Sequence, residues 1–308
     1  MFFKNLTLFR FSKSAAEELE TLDPKHLKKH AARACGPLEM RTRGWVSPYG
    51  RNESELAHGL GSFTLLSLGG EDKLLPAAVV NDALGAKLAK LTEERGKPIG
   101  GRERKRIKDE IVTDLLPRAF SRPYRLNGYL DAKKGWVVVD SSSRKSAEDF
   151  VSQIRETVET FPALPLDPEE SPRALLTQWL ADAKLPEGLA LGDECELRDP
   201  ADRGSVVRVR RLDLETTEVR EHLKTGKQVA QLGLVFDERV SFTLGDDLAV
   251  RKVKFLDIVT EELESTERES AQAELAARFA LMTLTLGPLL ERLEKTFRLP
   301  RPSERGSR

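Results

Sequence analysis

Leu115-Leu116-Pro117-Arg118-Ala119-Phe120-Ser121-Arg122 closes a charged helical pattern with two leucines and a proline. It then sets a phenylalanine between two arginines, on what reads as an exposed turn. Upstream, residues 102–116 carry Ile107, Ile111 and Leu115 at four-residue spacing, the stripe of an amphipathic helix. Before that, Pro76 opens a helix with Val79, Val80, Leu84, Leu88 and Leu91 on one side, and residues 96–101 interrupt it. The two form a helical hairpin whose connection is the most basic local segment of the chain. Downstream, residues 124–130 and 136–140 flank Lys133-Lys134-Gly135 and read as a β-hairpin. Phe120 has two open readings: it tucks back as a staple onto the hairpin below, or it inserts into a pocket of a second subunit.

Working outward, residues 2–11 read as a strand, and helices are expected over 14–22 and from Pro24 to Arg33. Residues 44–48 suggest a turn anchored by Trp45, and 62–68 with 73–75 a hairpin around Gly69-Gly70. A helix over 143–160 is followed by an acidic linker, 165–172, and a short helix holding Trp179. The chain then turns strand-rich, over 189–198, 205–214, 228–236, 240–244 and 250–255, with a helix at 217–223 between them. A helix over about 267–297 with a kink at Gly287-Pro288 ends the pattern. The expected class is α+β, with mixed or antiparallel sheets and flanking helices in two or three subdomains. Residues 1–75 with 120–165 would form a central domain, 76–119 a helical hairpin, 166–298 a strand-rich domain, and 299–308 a disordered tail.

The 308 residues, 39% of them apolar, suffice for a substantial core. The formal net charge is zero but unevenly spread: residues 81–146 hold 16 Lys/Arg against 9 Asp/Glu, 147–202 hold 4 against 14, and 203–254 hold 11 against 8. Such a chain can show a positive surface on one side and an acidic one on another, and local potential decides anion binding. Only Cys35 and Cys195 occur, so neither a disulfide framework nor a metal-ligand spacing is present, which suits a reducing cytosol. No apolar run approaches a membrane span, and the N-terminus lacks the apolar stretch and cleavage site of a signal peptide. A soluble, cytoplasmic protein is the expectation.

Catalytic signatures are sparse in the sequence. His26 and His30 stand four apart, but Leu27-Lys28-Lys29 between them lacks the glutamate of a zinc protease motif, so a solvated helix face is the reading. His58 reads as loop, and His222 supports the end of its helix. No phosphate-binding glycine loop and no Gly-x-Ser-x-Gly elbow occur. A metal-dependent nuclease would have to draw on Asp246-Asp247 with Lys252, or on Asp140 with Lys145, but acidic turn residues are far commoner. No catalytic group, metal or cofactor is expected.

Binding is better represented. Arg208-Val209-Arg210-Arg211 lies in a strand-like run, which puts Arg208 and Arg210 on one face and Val207 and Val209 on the other. Lys224 and Lys227 follow across a short helix and glycine turn, and Arg251, Lys252 and Lys254 mark a further strand. With Arg118, Arg122, Lys133 and Lys134 they would supply a surface tracking a phosphate backbone, without base readout and with strong salt dependence. Ordinary solubilising charge is the alternative for any single residue, and a protein-only scaffold the rival for the whole.

Phe3-Lys4-Asn5-Leu6, Gly44-Trp45-Val46-Ser47-Pro48, Leu74-Leu75-Pro76, the run from Leu115 to Arg122, and Val139-Asp140 with Lys145-Ser146-Ala147-Glu148 occur in that order. Leu175 to Trp179, His222 with Gly226-Lys227, Lys252 to Asp257, and Phe279 to Met282 continue the series. The series resembles the bacterial recombination-associated protein RdgC family over nearly the whole chain. The resemblance implies a nucleoid-associated protein that binds double-stranded DNA without sequence preference, acts in replication and recombination, and restrains RecA. It implies a ring-shaped homodimer with a basic inner wall. Phe120 would help close the ring at the dimer interface, flanked by Arg118 and Arg122, with Arg211 and Lys227 on the inner wall. Leu212, Gln231, Val235-Phe236, Pro123 and Tyr129 depart from the family pattern, Gln231 standing where a lysine is expected.

Overall fold

In the computed structural model, which describes residues 2–19, 22–51, 53–202, 204–264 and 270–302, the spine is one long antiparallel pair. Strands β4 (Phe63–Leu74) and β5 (Phe120–Asp131) run together for twelve residues each, from Phe63 opposite Asp131 to Leu74 opposite Phe120. Around them, among the described residues, β2 (Arg41–Val46), β6 (Trp136–Val139), β1 (Thr7–Arg10) and β7 (Leu164–Pro165) complete the sheet in the order β2-β4-β5-β6-β1-β7. Strand β3 (Ala57–Leu60) pairs with the start of β4. The fold is α+β.

The hairpin expected at Gly69-Gly70 does not form, because both glycines lie inside β4. Here β2 comes in beside them, Gly44 opposite Gly69 and Arg43 opposite Gly70. A Cβ on Gly69 would run into Val46, and one on Gly70 (φ 146°) into the Thr42 carbonyl. The glycines serve close strand approach, not a turn. Gly44 to Val46 likewise belong to a strand, with Trp45 buried edge-on against Phe150 and donating from Nε1 to Thr157 Oγ1 at 2.8 Å.

Period-two alternation sorts this sheet onto two apolar layers. Phe9, Leu66, Leu130, Val137 and Val139 face one side, where α1 (Lys13–Glu18), α2 (Pro24–Lys29) and α5 (Arg144–Val158) cover them. Leu8, Leu65, Tyr129, Trp136 and Val138 face the other side and enter a larger core.

That larger core is shared with a second, five-stranded sheet of order β12-β11-β10-β8-β9. Its strands are β8 (Leu189–Arg198), β9 (Val206–Arg210), β10 (Gln228–Phe236), β11 (Val240–Gly245) and β12 (Val250–Phe255). Helix α9 (Ala271–Phe297) contributes Phe279, Met282, Leu286, Leu289 and Leu293, and α6 (Pro172–Asp182) adds Trp179 against Phe297. The core therefore runs across the division expected near residue 166. α7 (Thr217–Lys224) and α8 (Asp257–Glu264), the latter not expected from the sequence, flank strands β9 to β12 in the chain.

By length and composition α9 would pass for a membrane span, yet one of its faces lies in this core and Pro288 sits within it. The expected tail begins with docked residues: Leu299 is buried, and Arg301 donates to the carbonyls of Phe11 and Ser12. Residues 303–308 lie outside the described residues.

The helical hairpin forms as expected, α3 (Ala77–Arg95) and α4 (Gly101–Leu115) packing through Val80, Leu84, Ile107 and Ile111. It stands at the far end of the β4–β5 arm with its own small core. Phe120 starts β5 and is 83% exposed, so it does not tuck back as a staple.

Candidate nucleic-acid interface

The five-stranded sheet buries one face, and among the described residues no layer of apolar side chains covers the other. On β9, Val207 and Val209 pack toward the shared core while Arg208 and Arg210 point out, as strand alternation requires. On β12 the inward set is Val250, Val253 and Phe255, a spacing that regular alternation cannot give. A β-bulge supplies the missing step: β12 spends one extra residue between its contacts with Ser241 and Thr243, and Lys252 takes up φ 53°. Lys252 and Lys254 then stand on the outer side. Arg210, Arg211, Lys252 and Lys254 line one open depression of about 810 Å³, floored by Gly233 and Ser241. Arg208 joins Arg210 and Lys252 around a smaller adjoining hollow that also holds Gln231 and Thr243.

The sequence reading missed the acids of this face. Strand β8 pairs Glu194 with Arg210 and Glu196 with Arg208, so charges of opposite sign stand directly across the ladder. Glu196 accepts from Arg208 at 2.8 Å and from Arg198 at 2.6 Å. Glu194 sits on a part of β8 that bulges over Gly233, where it meets Lys252 at 2.6 Å and the Thr243 hydroxyl. Burial works against the charged form of both carboxylates. For Glu194 the hydrogen bonds from Lys252 and Thr243, and for Glu196 those from Arg208 and Arg198, prevail and hold each carboxyl below its ordinary range. The acidic block 147–202 and the basic block 203–254 thus interleave here instead of facing apart. Burial also pushes the Cys195 thiol, lying between the two glutamates, up to about 11, which leaves it no nucleophile at neutral pH.

The other expected contacts lie elsewhere. Arg251 turns to Asp247 at 2.5 Å and lines a crevice with Thr7 and Phe9, apart from the depression. Lys224 pairs with Glu221 at 2.8 Å, and Lys227 follows at the turn into β10. Arg118 and Arg122 stand at one end of β5, Arg122 3.5 Å from Asp72. Lys133 and Lys134 stand beyond the other end of the same strand, about 36 Å away at the usual strand rise, with Lys134 paired to Glu291. One chain therefore gathers Arg208, Arg210, Arg211, Lys252 and Lys254, and not the rest.

A family model described as "Putative exonuclease, RdgC" matches residues 1–299. The chain belongs to the RdgC family. Recombination-associated protein RdgC of Xanthomonas campestris pv. campestris (strain B100) is 49% identical over 301 residues, covering 97% of this chain and 98% of that protein. The protein of that name from Xanthomonas axonopodis pv. citri (strain 306) is 49% identical over 302 residues, covering 97% and 99%. That from Stenotrophomonas maltophilia (strain R551-3) is 47% identical over 301 residues, covering 97% and 99%. The relatives' name speaks of recombination, whereas the RdgC family model's description speaks of an exonuclease. The acidic residues considered for a nuclease are engaged otherwise: Asp246 with Arg173, Asp247 with Arg251, and Asp140 with the amides of Lys4 and Asn5. Among the described residues no three His, Cys, Asp or Glu side chains converge as a metal site.

The depressed Glu194 pKa fixes the sign of a pH effect. Its ion pair stabilises the fold above the ordinary carboxylate pKa, and that stability is lost as pH falls through the folded value. Glu194→Gln should cost about 1 kcal/mol at pH 7 and progressively less below pH ~4, read by urea unfolding at several pH values. A deficit that persists undiminished at low pH would contradict the assigned pairing.

Proposed function

We propose that this protein binds double-stranded DNA without sequence preference and restrains RecA-mediated strand exchange during replication and recombination. In this reading it works on the nucleoid, in the cytoplasm, as a homodimer that closes a ring around the duplex. The observation that carries the reading is the uncovered sheet face where Arg208, Arg210, Arg211, Lys252 and Lys254 stand together. Cations there would displace counterions from phosphates, an interaction that is strong at low salt and blind to sequence. The face is a sheet with short depressions, which suits backbone contact and offers no helix to a groove.

Family membership supports the recombination role, since the relatives carry it in their name. The dimer reading is supported by Phe120, whose ring projects from the end of the β4–β5 arm beside the half-exposed Leu74. A large apolar side chain held out in solvent is a natural anchor for a second copy. Ring closure would turn individually weak phosphate contacts into topological retention, and occupied duplex would be closed to strand exchange. Retention fits this site better than cleavage, because its carboxylates are spent on arginines and lysines.

Replacing Arg208, Arg210 and Lys254 by Ala together should weaken binding equally on unrelated duplexes. It should also lower the slope of log affinity against log salt by about 0.9 for each phosphate no longer neutralised. The same variant should relieve inhibition in a RecA strand-exchange assay; an unchanged slope, or DNA fully bound while RecA proceeds unhindered, would reject the reading. Phe120→Ala should loosen self-association at least tenfold, about 1.4 kcal/mol, as seen by sedimentation velocity on dilution. A variant that sediments like the parent at every concentration would remove Phe120 from the interface.

A further inference from the structure

The cations of the sheet face are not equivalent. Among the described residues Arg210, Arg211 and Lys254 have no carboxylate within ion-pair distance, whereas Arg208 and Lys252 are each held by one. Glu194 takes Lys252 through both oxygens, at 2.6 and 2.8 Å. Glu196 is buried and accepts from Arg198 on one oxygen and from Arg208 on the other.

Two irregularities of the sheet converge on the first of these contacts. Glu194 starts from β8 yet reaches past β10 to the Thr243 hydroxyl on β11 and to Lys252 on β12. It can do so because β10 carries Gly233 beneath it: a Cβ there would stand 3.0 Å from Glu194 Cγ. Lys252, for its part, stands at the β12 bulge with φ 53°, a conformation unfavourable to a residue with a side chain. A pair whose lysine is 58% exposed contributes modestly to stability, so stability alone gives no reason for both features. Together they set a carboxylate on a cation that the DNA reading assigns to phosphate.

A tethered carboxylate is a strong competitor for a free anion. An isolated phosphate that displaced it would exchange one ion pair for another and lose translational freedom in doing so. A duplex differs, because it presents one charge about every 1.7 Å of its axis and releases condensed counterions as several cations engage. Arg210, Arg211 and Lys254 offer it a first hold, after which Lys252 and Arg208 can turn from carboxylate to phosphate.

We infer that Glu194 and Glu196 set the selectivity of the sheet face: as built-in ligands they close Lys252 and Arg208 to isolated phosphates and yield them to a polyanion. The inference rests on the DNA-binding reading and adds an internal competitor to it.

The test uses full-length proteins and two ligands: duplexes of unrelated sequence over a salt series, and inorganic pyrophosphate by titration calorimetry at low salt. The double variant Glu194→Gln with Glu196→Gln is compared with the parent. A second comparison is Glu148→Gln with Glu156→Gln, which removes equal charge from the exposed side of α5. A cooperative thermal unfolding transition checks that each variant is folded. The sheet-face double variant should bind duplex about tenfold tighter at low salt, with a salt slope steeper by up to about 1.8, or ~0.9 for each cation freed. It should also take up pyrophosphate, which the parent and the α5 variant refuse. Glu194→Gln and Glu196→Gln alone should each yield part of both gains, which keeps the test decisive if the double variant does not fold. Sheet-face variants that bind both ligands like the parent, or an equal gain from the α5 variant, overturn this inference and leave the DNA reading standing. So does a parent that takes up pyrophosphate, or tighter duplex binding with pyrophosphate still refused. A parent with no salt-dependent DNA binding overturns both.

Discussion

The structure depends on one shared apolar layer. Helix α9 shares a single apolar core with a seven-stranded sheet and a five-stranded one, through Phe279, Met282, Leu286 and Leu289. Burial of this kind is the dominant favourable contribution to folding, and it consumes the inward face of every strand in the second sheet. Among the described residues the outward face has no partner layer, and it must be compatible with water. It is therefore free to hold charge, and β9 and β12, its two edge strands, supply most of it. The candidate site is a consequence of where the core stops.

That face is not simply positive. Glu194 and Glu196 lie among the cations and engage Lys252, Arg208 and Arg198 at hydrogen-bond distance. In isolation these pairs order long side chains that would otherwise sample many rotamers. If phosphate is the physiological partner, as proposed, the same carboxylates compete with it for the same cations. Such competition weakens each contact and lowers the net positive charge that the face presents to phosphate, and it keeps a sequence-blind binder exchangeable along the duplex. Gln231, uncharged, adds no positive potential to the hollow that it lines.

Much of the architecture was legible in the sequence because periodicity reports burial on a single element. Strands over 189–198, 228–236 and 250–255 appear with the expected bounds, and the α3–α4 hairpin follows its four-residue apolar spacing. The failures came where meaning lies between elements. Gly69-Gly70 carries turn chemistry, but the close approach of β2 is what requires it. The pairing of Glu194 and Glu196 with the β9 arginines depends on which strand lies beside which, and the period-two alternation of Glu194-Cys195-Glu196-Leu197-Arg198 is the signal that could have marked a charged face. Arg251 and Lys252 are neighbours in sequence and part company at a bulge. Arg118 and Lys133 resemble one another by type, yet a whole strand separates them.

In the proposed reading, DNA lies on the uncovered face of the five-stranded sheet. The most direct measurement is modification of lysine amines by an acylating reagent, with and without saturating duplex of arbitrary sequence, read residue by residue by mass spectrometry. The account predicts that Lys252 and Lys254 become protected while Lys13, on the helical layer across the first sheet, reacts as before. Protection of Lys13 with Lys252 and Lys254 unchanged, or no protection of any lysine by bound duplex, would contradict it.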